Sequence, residues 1–174
     1  VVQFTDWRQL PVTTDAIQGG GWIWRGIGIW SKGDACRPQM GRFRAGAEFF
    51  VWGTNGPANP DPSIGCLDGV FECHPPPTSE RIHITQKPEL VMEWACSIVP
   101  PGSVVVDPFC GSGTTGVAAL RRGCRFIGVE QSQHYRDTAI ERLEAEERGL
   151  TIRDVRGGQM SIFDGGASSV DPSP

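Results

Sequence analysis

Asp107, Gly111, Gly113, Gly116 and Glu130 are the residues whose types and spacing could do chemistry, within "VVVDPFCGSGTTGVAALRRGCRFIGVE". The valines before Asp107 read as a strand over 103–107. The glycines read as a tight turn, and the small residues from about Thr114 to Arg122 as a helix. Strand, turn and helix start in that order cradle a ligand, because a helix N-terminus presents unpaired N–H groups and a positive dipole end. "RFIGVE" reads as the next strand, with Glu130 at its end.

Three ligands compete for such a turn. A phosphate loop needs a Lys followed by Ser or Thr after the glycines. Thr114 and Thr115 stand there with no Lys nearby. A dinucleotide fits better, since the three glycines satisfy G-x-G-x-x-G and Glu130 is placed to bond ribose hydroxyls. Yet Asp-Pro-Phe-Cys separates strand from glycines, and an ionised acid there would crowd a pyrophosphate. An acid at 107 suits a cationic amino group, and the helix start suits a carboxylate. S-adenosylmethionine carries both, plus a ribose for Glu130. A nicotinamide-type oxidoreductase stays as the alternative ligand class, and a plain strand-turn-helix as the reading without function.

The rest of the chain must position that turn. Its 174 residues fit one domain with a real core. A net charge of -4 argues against coating nucleic acid by charge alone, though not against a local basic patch. No apolar run is long enough to span a membrane, and the N-terminus does not read as a signal peptide. The six cysteines (Cys36, Cys66, Cys73, Cys96, Cys110, Cys124) form no C-x-x-C pair and suit reduced thiols in a cytoplasmic protein. Cys66, Cys73 and His74 do not have a usual zinc spacing, so no metal site is assigned.

"VVQF" reads as a short buried strand and "PVTTDAIQGGG" as a helix stopped by its glycines. "WIWRGIGIWSK" and "AEFFVWG" read as strands that could pair, with glycines in the first marking a bulge or close approach. Prolines make 54–80 a loop. "PELVMEWACSIV" has Leu90, Val91, Trp94, Ala95 and Ile98 at helical spacing. A charged helix follows over about Ser132 to Arg148, with Tyr135, Ala139, Ile140 and Leu143 as its apolar face. "LTIRDV" reads as a last strand, and the tail from Gly157 as mobile. Alternating strands and helices in the second half predict an α/β fold with a largely parallel sheet.

"DPFCGSGTTGVAALRRGCRFIGVE" resembles the S-adenosylmethionine segment of the N4-cytosine/N6-adenine DNA methyltransferases, D-P-F-x-G-S-G-T-T followed by a strand ending in G-x-[ED]. "HITQKPELV" resembles their H-P-T-x-K-P-x-x-L segment, with Ile84 where Pro is usual. Both motifs in this order match the permuted arrangement, catalytic half first. "GWIWRGIGIWSKG" and "EFFVWGTNG" resemble the family's β-hairpin region. The resemblance covers roughly residues 1 to 145 and implies a Rossmann-like methyltransferase sheet. It implies Asp107, Pro108, Phe109, Gly111, Gly113 and Thr114 around the cofactor, with Asp107 near the methionine amino group and Glu130 on the ribose. Thr85 and Lys87 would sit by the methionine carboxylate, which for Lys87 charge alone also favours.

The resemblance implies methyl transfer to an exocyclic amine of double-stranded DNA, adenine N6 ahead of cytosine N4 by family frequency, in a bacterial or phage-borne modification system. Its tetrapeptide [DSN]-P-P-[YFW] is absent from the chain, and "CHPPPT" has neither the preceding strand nor the following aromatic. Val1 to Phe4 resembles the strand after that motif. The expectation is therefore a fragment lacking one central strand, with catalytic residues upstream of Val1 and with binding but no catalysis as the alternative. Its regions are a catalytic part with hairpin (1–53), a loop and short target-recognition segment (54–82), a cofactor part (83–156) and a tail (157–174). Arg25, Lys32, Arg37, Arg42 and Arg44, interleaved with Trp24, Trp30 and Phe43, are candidates for the DNA backbone. Gln159, Met160, Ser161, Ile162 and Phe163 resemble the Q-L-[SD]-L-F peptide that docks on bacterial sliding clamps.

Overall fold

A computed structural model describes residues 1–59, 61–75, 87–150 and 154. Four strands form one sheet in the order β1-β3-β2-β4: β1 (Val2–Thr5), β2 (Ile23–Ser31), β3 (Ala47–Thr54) and β4 (Val70–Glu72). The aromatic and β-branched run of β3 pairs antiparallel with both β1 and β2 and supplies the sheet's centre, where Val51 is fully buried. The expected close approach in β2 is at Gly28. A Cβ there would fall 2.1 Å from the Phe50 ring on the neighbouring strand. The expected bulge lies between Trp24 and Gly26.

Helix α1 (Leu10–Gly19) contacts all three of these longer strands. It ends as its glycines require. Gly21 is left-handed, the Trp22 amide donates to Ile17 O, and the Gly21 amide to Gln18 O.

A second, two-stranded sheet pairs β5 (Val104–Asp107) with β6 (Arg125–Gly128) in parallel, joined through α3 (Thr114–Arg121). Small residues let α3 sit close to its neighbours. A Cβ on Gly116 would lie 2.7 Å from both Phe126 and Leu143, and one on Gly128 2.8 Å from Phe126. Helix α4 (Gln133–Glu147) packs on α3, and α2 (Glu89–Cys96) packs on α3 and reaches the first sheet through Trp94. Trp94 of α2 stacks on Phe71 and tilts against Phe50 in the first sheet. On the same helix Val91 and Ala95 are buried, as are Val117, Ala118 and Ala119 of α3, with which α2 packs.

Several expectations change. The larger sheet is mixed, with β3 antiparallel to both β1 and β2 and β4 parallel to β2. The 54–80 stretch contains β4, whose three residues are too few to show alternation. The first strand is half-buried at a sheet edge. The inward face of α4 carries Thr138, Ala139, Arg142 and Ala145, while Ile140 is exposed. Of "LTIRDV", residues 151–153 and 155 lie outside the described residues.

Among the described residues, no strand pairs with the outer edge of β1 or of β5. Val104, Val106 and Ile127 are exposed, although parallel strands are ordinarily covered on both faces. No helix of the described residues is long and apolar enough to cross a membrane.

Candidate functional site: a glycine turn between two carboxylates

Strand β5 ends at Asp107, and its carboxylate turns the chain. One oxygen accepts the Phe109 amide at 3.0 Å, and the other accepts the Thr115 hydroxyl at 2.6 Å. The Gly113 amide closes the turn on Cys110 O at 2.9 Å. Gly111 and Gly113 have φ of 53° and 81°, a region where a side chain is strained. Gly113 also caps α3, and a Cβ on it would meet Ala139 Cβ at 2.9 Å. Space beside Gly111 is open.

Glu130 follows β6 and reaches back to this turn. Its carboxylate accepts the Gly111 amide at 3.0 Å and the Ser132 amide at 2.8 Å. Each carboxylate here uses one site per oxygen and retains acceptor capacity for a ligand. Burial, and then the charges of Asp107 and Glu130, push the Cys110 thiol up, which disfavours a thiolate beside the turn.

Asp107, Pro108, Phe109, Gly111, Gly113, Thr114 and Glu130 thus gather where β5 and β6 end, with the Phe109 ring largely exposed. Thr114 is buried, and its hydroxyl accepts from Arg142 at 3.0 Å, away from the open side. Thr115, passed over in the sequence, is the threonine that meets Asp107. Arg142 was also missed. It is 5% exposed and donates to Ser112 O, Ser112 Oγ and Thr114 Oγ1 through Nη1, and to Glu89 through Nη2. The available signal was its spacing from Ala139 and Ala145 on one helix face.

Lys87 stands at the start of α2, 5.5 Å from the Phe4 ring centroid and 2.8 Å from Glu48. Glu48 also holds Lys32, at 2.6 Å. Burial pushes the Glu48 carboxyl up, but hydrogen bonds and charge from both lysines outweigh it and hold its pKa below the ordinary value. A ligand carboxylate at Lys87 would share that ammonium with Glu48. Thr85 lies outside the described residues.

The basic candidates do not form one patch. Arg25, near the start of β2, bonds Thr54 Oγ1 and Gly56 O, roughly 20 Å along the strand from Lys32. Lys32 is half-buried on Glu48. Arg37, Arg42 and Arg44 share the exposed 32–46 connection with Met40 and Phe43, both fully exposed. An apolar cavity of about 760 Å³, lined by Trp22, Phe50, Trp52, Leu67 and Ile98 among others, lies at the opposite end of α2 from Glu89 and includes neither Asp107 nor Glu130. Among the described residues, no three His, Cys, Asp or Glu side chains gather to hold a metal. The six cysteines are unpaired. Gln159, Met160, Ile162 and Phe163 lie outside the described residues.

With this geometry, the family model for N6/N4-type DNA methylases matches residues 10–141. The chain belongs to that family. Over 65 residues, 37% of the chain, it is 49% identical to the type II methyltransferase M2.DpnII of Streptococcus pneumoniae. Over the same length it is 46% identical to the type II methyltransferase M.HinfI of Haemophilus influenzae. The matched stretch spans 24% of the first relative and 18% of the second. Among solved structures, the complex of M1.HpyAVI with S-adenosylmethionine superposes with a TM-score of 0.68 at 29% identity. That match covers 82% of this chain and 73% of that one. The cytosine-N4-specific PvuII methyltransferase shares the fold, with a TM-score of 0.59 at 15% identity, over 87% of this chain and 64% of that one. The methylase family therefore fits a chain whose glycine turn, parallel strand pair and following acid were legible as a unit.

Glu48 yields a pH test. Its folded pKa lies below the unfolded one, so its charge stabilises the fold fully above the unfolded value, and that contribution is lost as pH falls through the folded value. Urea unfolding of Glu48→Gln should show lower stability than wild type at pH 7. The gap should narrow as pH drops below about 4.3; a gap that stays constant to pH 3 contradicts the ion-pair account.

Proposed function

We propose that the glycine turn binds S-adenosylmethionine, and that the protein containing this chain methylates an exocyclic amine of a DNA base, adenine N6 ahead of cytosine N4. One observation carries the reading: Asp107 and Glu130 flank a left-handed glycine turn at a helix start, each with acceptor sites to spare. Two carboxylates favour a cationic ligand and oppose a pyrophosphate, which weighs against the nicotinamide alternative. When bound, S-adenosylmethionine supplies a methyl group on a positively charged sulfur. Asp107 would accept hydrogen bonds from its amino group, and Glu130 from its sugar hydroxyls. The α3 start and Lys87 would face its carboxylate, and Phe109 would offer an apolar surface.

The chain's residues do not include the expected aromatic tetrapeptide, so transfer is proposed for a protein in which a strand beside β5 supplies it. Binding without catalysis is the second reading for residues 1–174, favoured by the unpaired edges of β1 and β5. A target base must leave the duplex to be methylated. The exposed 32–46 connection offers Arg37, Arg42 and Arg44 to the phosphates, with Phe43 as a stacking group. Residues 1–53, 54–82 and 83–156 would be the hairpin-bearing, recognition and cofactor regions. Gln159, Met160, Ile162 and Phe163 would tether the protein to a sliding clamp.

Calorimetry with S-adenosylmethionine and with NAD tests the ligand. Binding of the first alone is expected, weakened about tenfold or more in Glu130→Ala, which loses a charged acceptor. Heat from NAD alone would reverse the assignment. For DNA, each of Arg37→Ala, Arg42→Ala and Arg44→Ala should lower the slope of log affinity against log salt by about 1, and Arg25→Ala should leave it unchanged. A lower slope for Arg25→Ala only would put the duplex at the other end of the sheet. Clamp pull-down should retain wild type and lose Phe163→Ala; equal retention removes the tether.

A further inference from the structure

Arg142 is a buried cation, and the turn's glycine amides find their partners without it. Gly111 donates to Glu130, and Gly113 to Cys110. Nor does α4 need it as a fastening. Gly113 already abuts Ala139, Gly116 abuts Leu143, and Arg121 forks onto Glu146 at 2.9 and 3.0 Å. Burying a guanidinium is costly, and an apolar residue of similar size would serve packing at least as well. Yet this one is aimed off its own helix. Nη1 donates to Ser112 O at 2.8 Å, inside the glycine turn, and to Thr114 Oγ1 at the head of α3. Nη2 donates to Glu89 at 2.5 Å, two residues beyond Lys87. The other oxygen of Glu89 pairs with Arg121 at 2.8 Å, and Arg121 also reaches Glu93.

One planar group thus joins the two segments to which the proposed cofactor reading, on which this inference rests, assigns the methionine end of the ligand. Arginine suits the task because its fork fixes two directions at once, which a lysine ammonium does not. We propose that Arg142 is a positioning residue: by holding Ser112 and Glu89 on one guanidinium, it sets the gap between the glycine turn and the start of α2, and with it the affinity for the amino-acid end of S-adenosylmethionine. It touches no ligand and acts through Ser112 and Glu89.

The test compares S-adenosylmethionine with 5′-methylthioadenosine, which keeps the nucleoside and lacks the amino-acid end. Affinities are measured by calorimetry on the 174-residue chain and its variants, well below their unfolding temperatures. Arg142→Met keeps the volume and leaves Glu89 its bond to Arg121. Arg142→Lys keeps the charge and loses the fork. Both should lower S-adenosylmethionine affinity about tenfold and methylthioadenosine affinity by less than about threefold. In ligand-free protein, amides 111–114 should exchange faster in both. Should Arg142→Met fail to fold, Glu89→Gln, on a partly exposed residue, should show the same selective loss. Equal losses for the two ligands, or affinities within about twofold of wild type in folded variants, would overturn the proposal. Wild type that binds methylthioadenosine but gains nothing from the amino-acid end would overturn it too. Wild type that binds neither ligand would instead bring down the cofactor reading, and the inference with it.

Discussion

The bond from the Gly111 amide to the Glu130 carboxylate joins the ends of two neighbouring strands across a turn whose only internal backbone bond, among the described residues, runs from Gly113 to Cys110. Parallel pairing of β5 with β6, in the register Asp107 to Gly128, brings the second acid within reach. The Gly111 N–H finds no backbone acceptor inside the turn, and an unpaired amide there would be costly. Glu130 answers it and, through Ser132, also fixes the entry to α4. Asp107 does the equivalent on the other side, through Phe109 and Thr115. The acids that would recognise a ligand are therefore the acids that shape the turn. Recognition and shape are not separable at these two positions.

Helix α2 makes one body of two sheets. Trp94 engages the mixed sheet, and the buried Val91 and Ala95 belong to the face toward α3. The outer edges of β1 and β5 are both unpaired, and Val104 and Val106 are bare. A strand carrying the proposed tetrapeptide would fit that position in a family whose solved members superpose over most of this chain.

Much of this was readable from local pattern, and what was not has a common cause. The valine run, the positive-φ glycines, the glycine stop after α1 and the helical spacing of Val91, Trp94 and Ala95 are short-range signals, and each element formed where they indicated. Arg142 and Glu89 lie 53 residues apart, and Lys87 and Glu48 are also distant, so no window of sequence displays either pair. Arg25 and Lys32 look clustered in the sequence, but a strand rises about 3.3 Å per residue and separates them. Thr114 and Thr115 are neighbours of one type, and only helix geometry sends one hydroxyl to Arg142 and the other to Asp107. The family resemblance named the turn and the acids. It was silent about what holds them from behind.

Phe126 has a consequence beyond its own packing. Its ring occupies the space that a side chain at either Gly116 or Gly128 would need. Neither position is left-handed, so both glycines are demanded by close neighbours and not by backbone torsion: Leu143 also comes within 2.7 Å of a Cβ at 116, and Cys110 within 2.8 Å of one at 128. The third glycine of the apparent fingerprint is thus a shadow cast jointly by residues 126 and 143. Across homologues bulk should return at 116 only where 126 and 143 shrink together, and at 128 only where 126 and 110 do, while 111 and 113 keep to their own rule.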